Sequence, residues 1–443
     1  MESTTTSVTP LPDIFNLFKP VALEQDQLKF YHETAAVRDG SRQEVYNQIF
    51  KTIVVTKSLE RLLVIGHIGC GKSTELQMLQ NKLSASEMPS VHINVLKDLD
   101  LFTFTYIDLL ILIVEKLVDY AAKKEKILNK DMLNAFAKSL LNKVTIEYWA
   151  KDVTAKIDAA ATIKAAAGYL LEFTGQIAAA FKMSSGTREE LRGNFEPKVR
   201  EIIDAINALV NAIHSQTASK FVIIIDGLEK CHQDKALKLF TQDIAFISEI
   251  KTHLVLACPI TTYRSVDGRV LTGYFQTNFT MPMIKTHNKI DRTPFEDGVE
   301  TIKNLILKRA EASSFEDGVL DIIIEKAGGN LRDTINILSQ SAFEAYMRDR
   351  TTVDMDSTDF VLKKLAYDTF MRVPASSYER AKMIYKGDHR ITQDKELADL
   401  LYTGAAFEYN GERWVDLAPL VRDYIDKNPG ILGEDKNEDR NLV

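Results

Sequence analysis

Two kinds of hydrophobic pattern alternate along the chain. Short continuous apolar runs occur at Leu62-Leu63-Val64-Ile65, Val91-His92-Ile93-Asn94-Val95, Phe221-Val222-Ile223-Ile224-Ile225, Leu254-Val255-Leu256-Ala257 and from Phe279 to Ile284. Their length and β-branched content predict five strands, and the most continuous run, 221–225, predicts a strand buried on both faces. Between them lie stretches whose apolar positions recur every three or four residues, such as Ile107 to Tyr120, which predict helices. Strands alternating with helices mean a parallel sheet covered on both faces, hence an α/β fold.

The spacing is uneven. About 100 residues, 121–218, separate the second strand–helix unit from the third strand and read as a helical insertion, with segments Ile127 to Trp149 and the alanine-rich Ala159 to Phe181. Alanine-rich helices pack closely on a neighbour, so the insertion is either a helical hairpin on the core or a surface for a partner. After the sheet, periodic helices at Val299 to Ala310 and Phe315 to Lys326 end at Gly328-Gly329, and Asn330 is placed to cap the next helix. From 352 onward the pattern is three helices, then Ala405 to Tyr409, an Asn410-Gly411 turn, and Arg413 to Leu417, a strong hairpin signal. The expected division is a lead-in at 1–40, a core at 41–285 including the insertion, a helical lid at 286–350, a winged helix at 351–426 and a charged, disordered tail at 427–443.

The first strand runs into Gly66-His67-Ile68-Gly69-Cys70-Gly71-Lys72-Ser73-Thr74, which matches G-x-x-x-x-G-K-[ST] at the required junction of a strand and a helix. Backbone N–H groups at such a helix start converge on one point where the helix dipole favours negative charge. The glycines admit phosphate oxygens, Lys72 reaches the β- and γ-phosphates, and the Ser73 hydroxyl is a Mg²⁺ ligand. Residues 66–74 are therefore the expected nucleotide-binding set. Asp226, at the carboxyl end of the third strand, is the expected partner of Ser73 at the metal, because Mg²⁺ keeps most of its waters and takes few protein carboxylates. Glu229 is the candidate base or water-positioner, since position 227 is glycine. Arg332 stands in the first turn of a helix, where a cation opposes the dipole and is best tolerated with an anion to hold, such as the γ-phosphate. Lys72, Asp226, Glu229 and Arg332 are the expected catalytic set, with ATP and Mg²⁺ as cofactors.

Composition narrows the setting. The 443 residues are 45% hydrophobic and 26% charged with a formal net charge of −7, as for a soluble globular protein of two or three domains with no global basic field for nucleic acid. Cys70, Cys231 and Cys258 show no metal-like spacing and fit a reducing cytoplasm. Cys70 reads as a small residue that fits the loop, the alternative being a thiol acidified by the helix N-terminus. The N-terminus lacks the features of a secretory signal, and the most apolar helix holds Asp108, Glu115 and Lys116, so no membrane association is expected.

With these residues in place the chain resembles AAA+ and STAND-type ATPases, the prokaryotic group with a helical lid and C-terminal winged helix, and is similar to ATPases of bacterial antiphage and other conflict systems. That resemblance implies an ATP-hydrolysing switch that forms homo-oligomers and controls a separate effector protein. It implies a sensor arginine at Arg332, a polar sensor at Thr261 or Thr262, and an arginine finger among Arg264, Arg269 and Arg292. The alternative it leaves open is a winged-helix DNA-binding ATPase resembling replication initiators or loaders. The expected recognition helix, Asp394 to Leu401, carries three acids against one lysine, which favours protein over DNA.

Overall fold

The computed structural model describes residues 8–101, 103–123, 155–181, 195–217, 219–409 and 413–433, with scattered positions between 131 and 193. The expected helix from Ile127 to Trp149, the Asn410-Gly411 turn and tail residues 434–443 lie wholly or mostly outside them.

Helix α1 (Leu11–Leu17) and helix α2 (Val45–Val55) precede strand β1 (Arg61–Gly66), which leads through the phosphate loop into α3 (Lys72–Ala85). Strand β2 (Ser90–Asn94) is followed by α4 (Tyr106–Ala122), then α5 (Ile163–Phe181) and α6 (Val199–Gln216) of the insertion. Strands β3 (Val222–Asp226), β4 (His253–Pro259) and β5 (Thr277–Met281) complete a five-stranded sheet of order β2-β3-β4-β1-β5, parallel at every pairing. All five predicted strands are present.

Alternation across the sheet sorts the side chains. Leu63, Ile65, Ile93, Ile223, Ile225 and Leu256 share a core with α4, α5 and α6, whereas Leu62, Val64, Val222, Ile224 and Val255 pack on the other face with α2 and α3. Parallel pairing brings the carboxyl ends of all strands to one edge, with Asn94 beside Asp226 and Gly66 beside both Pro259 and Met281. The sheet edge therefore collects the groups that chemistry needs.

Beyond the sheet come α7 (Glu296–Leu307), α8 (Val319–Ala327), α9 (Leu331–Met347) and α10 (Met355–Phe370), then α11 (Tyr378–Tyr385), α12 (Lys395–Thr403), the antiparallel pair β6 (Ala406–Tyr409) and β7 (Trp414–Leu417), and α13 (Pro419–Lys427). Gly328 and Gly329 both take left-handed backbone, with φ of 58° and 81°, and Asn330 caps α9 by accepting from the N–H groups of Arg332 and Asp333. A side chain at 329 would place its Cβ 1.8 Å from the Ile284 carbonyl, so this corner requires glycine.

Packing runs across the expected divisions in two places. Residues 8–40 are more than a lead-in: Leu11, Ile14 and Phe18 are buried in the lid core with Ile302, Ile306 and Leu338. Region 351–426 does not keep to itself either. Phe407, Tyr409, Trp414, Leu397 and Val421 share one core with Leu76, Leu79 and Val64 of the sheet and α3, because β6 and β7 present buried residues on both faces. Among the described residues, no helix is long and apolar enough to cross a membrane.

Candidate nucleotide site

The phosphate loop lies at the sheet edge with two glycines in left-handed backbone, Gly69 at φ 90° and Gly71 at φ 105°. Gly69, Gly71, Lys72, Ser73 and Thr74 line a pocket, whereas Gly66, His67, Ile68 and Cys70 do not. Gly66 is closely packed, since a Cβ there would lie 2.7 Å from the Met281 carbonyl and 2.8 Å from Cys70 Sγ. Lys72 is buried, and its ammonium donates to the carbonyls of Gly66 and His67 at 2.9 and 2.7 Å.

Opposite the loop, Ser73 Oγ donates to Asp226 Oδ1 at 3.1 Å. Asp226 Oδ2 and Glu229 Oε2 are both buried without a hydrogen-bond partner. Burial, and then the nearby Glu229 carboxylate, push the Asp226 acid above the usual carboxylate range. Buried acceptors left open beside a hydroxyl fit a hydrated divalent cation, whose charge would relieve that repulsion. Ser73 and Asp226 are the residues that could hold it. Among the described residues, no group of three His, Cys, Asp or Glu side chains could hold a metal by itself, so phosphate and water would complete the shell.

Glu229 reaches the pocket because Gly227 turns the chain. Gly227 sits at φ 92°, with Leu96, Val95 and Asn94 within 3.1–3.3 Å of where a Cβ would stand. The following turn, Leu228–Lys230, carries Glu229 back to line the pocket with Lys72, Ser73 and Arg332. Lys230 lies in the same field: burial lowers its ammonium, Glu229 and Asp226 raise it, and Arg332 and Lys72 lower it again.

The lid closes the other side. The side-chain amide of Asn330 donates to the Ile68 carbonyl at 3.3 Å, and the Arg332 backbone N–H donates to the Gly69 carbonyl at the same distance. A Cβ at 69 would meet Asn330 Oδ1 at 2.2 Å, so Gly69 serves lid packing as well as the loop. An apolar shelf next to the phosphate end combines Val21, Leu23 and Phe30 with Leu305, Leu331 and Ile335.

His67 does not turn its ring to the pocket. Its Nε2 accepts from the Glu408 N–H on β6 at 2.8 Å. Burial, followed by the Lys72 and Arg264 charges, lowers the imidazole to about 3, consistent with a neutral acceptor. Arg264 grips the buried Glu408 carboxylate through Nε at 3.1 Å and Nη2 at 2.6 Å. Arg292 is likewise bound to the buried Asp416. Of the three arginines expected to include a finger, Arg264 and Arg292 are thus paired within their own chain, and Arg269 is exposed. Thr261 and Thr262 are buried and do not line the pocket, although Thr262 Oγ1 has no partner.

Two residues escaped the sequence reading. Arg38 is 4% exposed and donates to Cys70 O and Pro282 O, both at 2.6 Å, and to Thr34 Oγ1 at 2.9 Å, pinning the phosphate loop to the β5 exit. Its one signal was an arginine closing the apolar Ala35-Ala36-Val37. His92, polar between Val91 and Ile93, faces Asp226.

A profile of the KAP family P-loop domain matches residues 42–257, the stretch from α2 into β4. No curated protein matches the chain. Similar solved structures include the Orc1 protein of Aeropyrum pernix in complex with DNA, 12% identical with TM-score 0.37 over 93% of this chain and 97% of that one. The Walker-type ATPase of Pyrococcus abyssi is 13% identical with TM-score 0.42, covering 90% and 99% of the two chains. The RuvB Holliday junction branch migration motor of Thermotoga maritima is 11% identical with TM-score 0.33, covering 88% and 98%. The phosphate loop, the parallel sheet and the profile match agree on one conclusion: this chain carries a P-loop NTPase core, followed by a helical C-terminal region.

Proposed function

We propose that the protein is a Mg²⁺-dependent ATPase that works as a switch, using bound nucleotide to change its self-assembly and its grip on a separate effector protein, in the manner of AAA+ and STAND ATPases of bacterial conflict systems. The observation that carries this reading is that the phosphate loop is bonded to both the helical region after the sheet and the C-terminal hairpin. His67 holds β6, while the Ile68 and Gly69 carbonyls hold the start of α9. Lys72 now serves the Gly66 and His67 carbonyls. Drawing this ammonium towards a γ-phosphate would loosen its hold on the Gly66 and His67 carbonyls, the backbone next to the groups that dock lid and hairpin. Differential contact with ATP and ADP is the free energy a switch requires.

In this reading the base lies on the Leu331 and Ile335 shelf and the phosphates lie along Gly69 to Thr74. Arg332 reports the γ-phosphate, and Glu229 orients the attacking water. The cation, when bound by Ser73 and Asp226, supplies charge neutralisation at the β- and γ-oxygens. Calorimetry with ATP tests the binding step: the intact protein takes up nucleotide and a Lys72→Ala protein does not. Native mass measurement with ATP, ADP and no nucleotide, followed by pull-down, tests the switch. Identical masses and partners in all three states would remove it.

A second reading, a DNA-binding ATPase, draws on one feature. Lys289, His389, Arg390 and Arg413 gather with Arg264 around a groove beside the β6–β7 pair. Against it, Arg390 is bound to Asp388 and Arg264 to Glu408, and α12 carries Glu396 and Asp399. A duplex-DNA mobility shift that weakens steeply with salt would put this reading first.

A further inference from the structure

Strand β2 runs parallel to β3 with His92 opposite Ile224 and Asn94 opposite Asp226. His92 and Asp226 therefore project from the same sheet face, the one that packs on α3, whose first turn carries Lys72 and Ser73. His92 Nε2 stands 4.0 Å from Asp226 Oδ2. Both atoms are buried, and neither has a hydrogen-bond partner, although the other Asp226 oxygen accepts from Ser73. Leaving two buried polar atoms open so close together is costly unless something occupies the space between them.

The separation identifies that occupant. At 4.0 Å the two atoms are too far apart for a direct hydrogen bond. Two bonds of about 2.8 Å meeting near a right angle at one oxygen span about 4 Å, the reach of a single bridging water. Imidazole and carboxylate are the two partners such a water needs at this end.

We propose that His92 is a positioning residue for the metal site: His92 Nε2 and Asp226 Oδ2 hold one water between them, and that water belongs to the shell of the divalent cation received by Ser73 and Asp226. The proposal rests on the nucleotide reading above and adds a residue on β2 to a site otherwise drawn from the phosphate loop and β3. Removing a group that orients a metal's shell commonly lowers metal affinity by about 10- to 100-fold.

The test is calorimetry of a non-hydrolysable ATP analogue with Mg²⁺ and with EDTA, on the intact protein, His92→Leu and His92→Gln. The expected result is roughly tenfold weaker binding by His92→Leu with Mg²⁺ and unchanged binding in EDTA, which also shows that the variant is folded. His92→Gln, whose amide reaches a similar point, restores most of the loss. Equal loss in Mg²⁺ and EDTA means that His92 only packs, and overturns the proposal, as does undiminished binding by His92→Leu. A preference of the intact protein for Mn²⁺ over Mg²⁺ that His92→Leu abolishes would make the imidazole a direct ligand, and overturns the water. Absence of binding by the intact protein in either condition instead brings down the nucleotide reading itself, and this proposal with it.

Discussion

At Gly227 one residue decides the shape of the site. Its φ of 92° and its close neighbours on Asn94, Val95 and Leu96 put any side chain there under strain, and the carboxylate that lines the pocket is that of Glu229, two residues on. Gly227→Ala is expected to cost about 1–3 kcal/mol in denaturant unfolding and to displace Glu229. Glu229→Gln should keep ATP binding while lowering turnover by about 10²- to 10⁴-fold in a phosphate-release assay; unchanged turnover would remove Glu229 from the chemistry. A second residue, Asp416, governs the C-terminal region. Burial would raise its acid, but the hydrogen bond from His287 and the charges of Arg422 and Arg292 bring it down to about 2. A carboxylate lowered in this way adds stability that is present above the unfolded value near 4 and is lost as pH falls towards 2. Asp416→Asn should therefore destabilise the protein by roughly 3 kcal/mol at neutral pH, with the difference from wild type shrinking through that acid window.

Among the elements that follow the sheet, α9 and β6 both bond to the phosphate loop. Asn330 both caps α9 and bonds to the Ile68 carbonyl, so Asn330→Ala should lower stability by about 1 kcal/mol and also alter nucleotide affinity, whereas loss of a cap alone would leave the affinity untouched. The β6 contact has a pH signature. Because His67 is lowered to about 3 in the fold, its contribution is full above the unfolded value near 6.5 and declines as pH falls below it. The thermal midpoint of the wild type should thus fall more between pH 7 and pH 5 than that of His67→Gln, which keeps an acceptor but cannot take the proton. Parallel curves would show that the His67 to Glu408 contact contributes little. The insertion helices α5 and α6 pack on the opposite sheet face, away from these contacts.

For the whole molecule, the continuous core shared by the sheet, α3 and the β6–β7 pair argues against a C-terminal region that swings freely. Under the proposed switch, a change of nucleotide would instead break or reform specific bonds at His67, Asn330 and Arg332. Limited proteolysis should show different protection of the lid and hairpin with ATP and with ADP, and the difference should vanish in Lys72→Ala. The N-terminal segment shares in this closure, since Phe18 enters the lid core while Phe30 and Arg38 line the pocket.

Much of the core was legible in advance because its signals are local. Five apolar runs became five strands, the G-x-x-x-x-G-K-S loop fell at a strand–helix junction, and Gly328-Gly329-Asn330 announced a helix end and a cap, since backbone geometry and periodicity depend on near neighbours. Contacts across the sequence were not legible. Nothing near His67 in the chain points to Glu408, 341 residues away, and nothing near His92 points to Asp226. The lone polar positions at 38, 67 and 92 acquired their neighbours only when parallel register and a shared core brought distant atoms within a few ångströms. A residue's type and spacing specify what it can do, but burial and the partner that burial supplies decide which of those things it does.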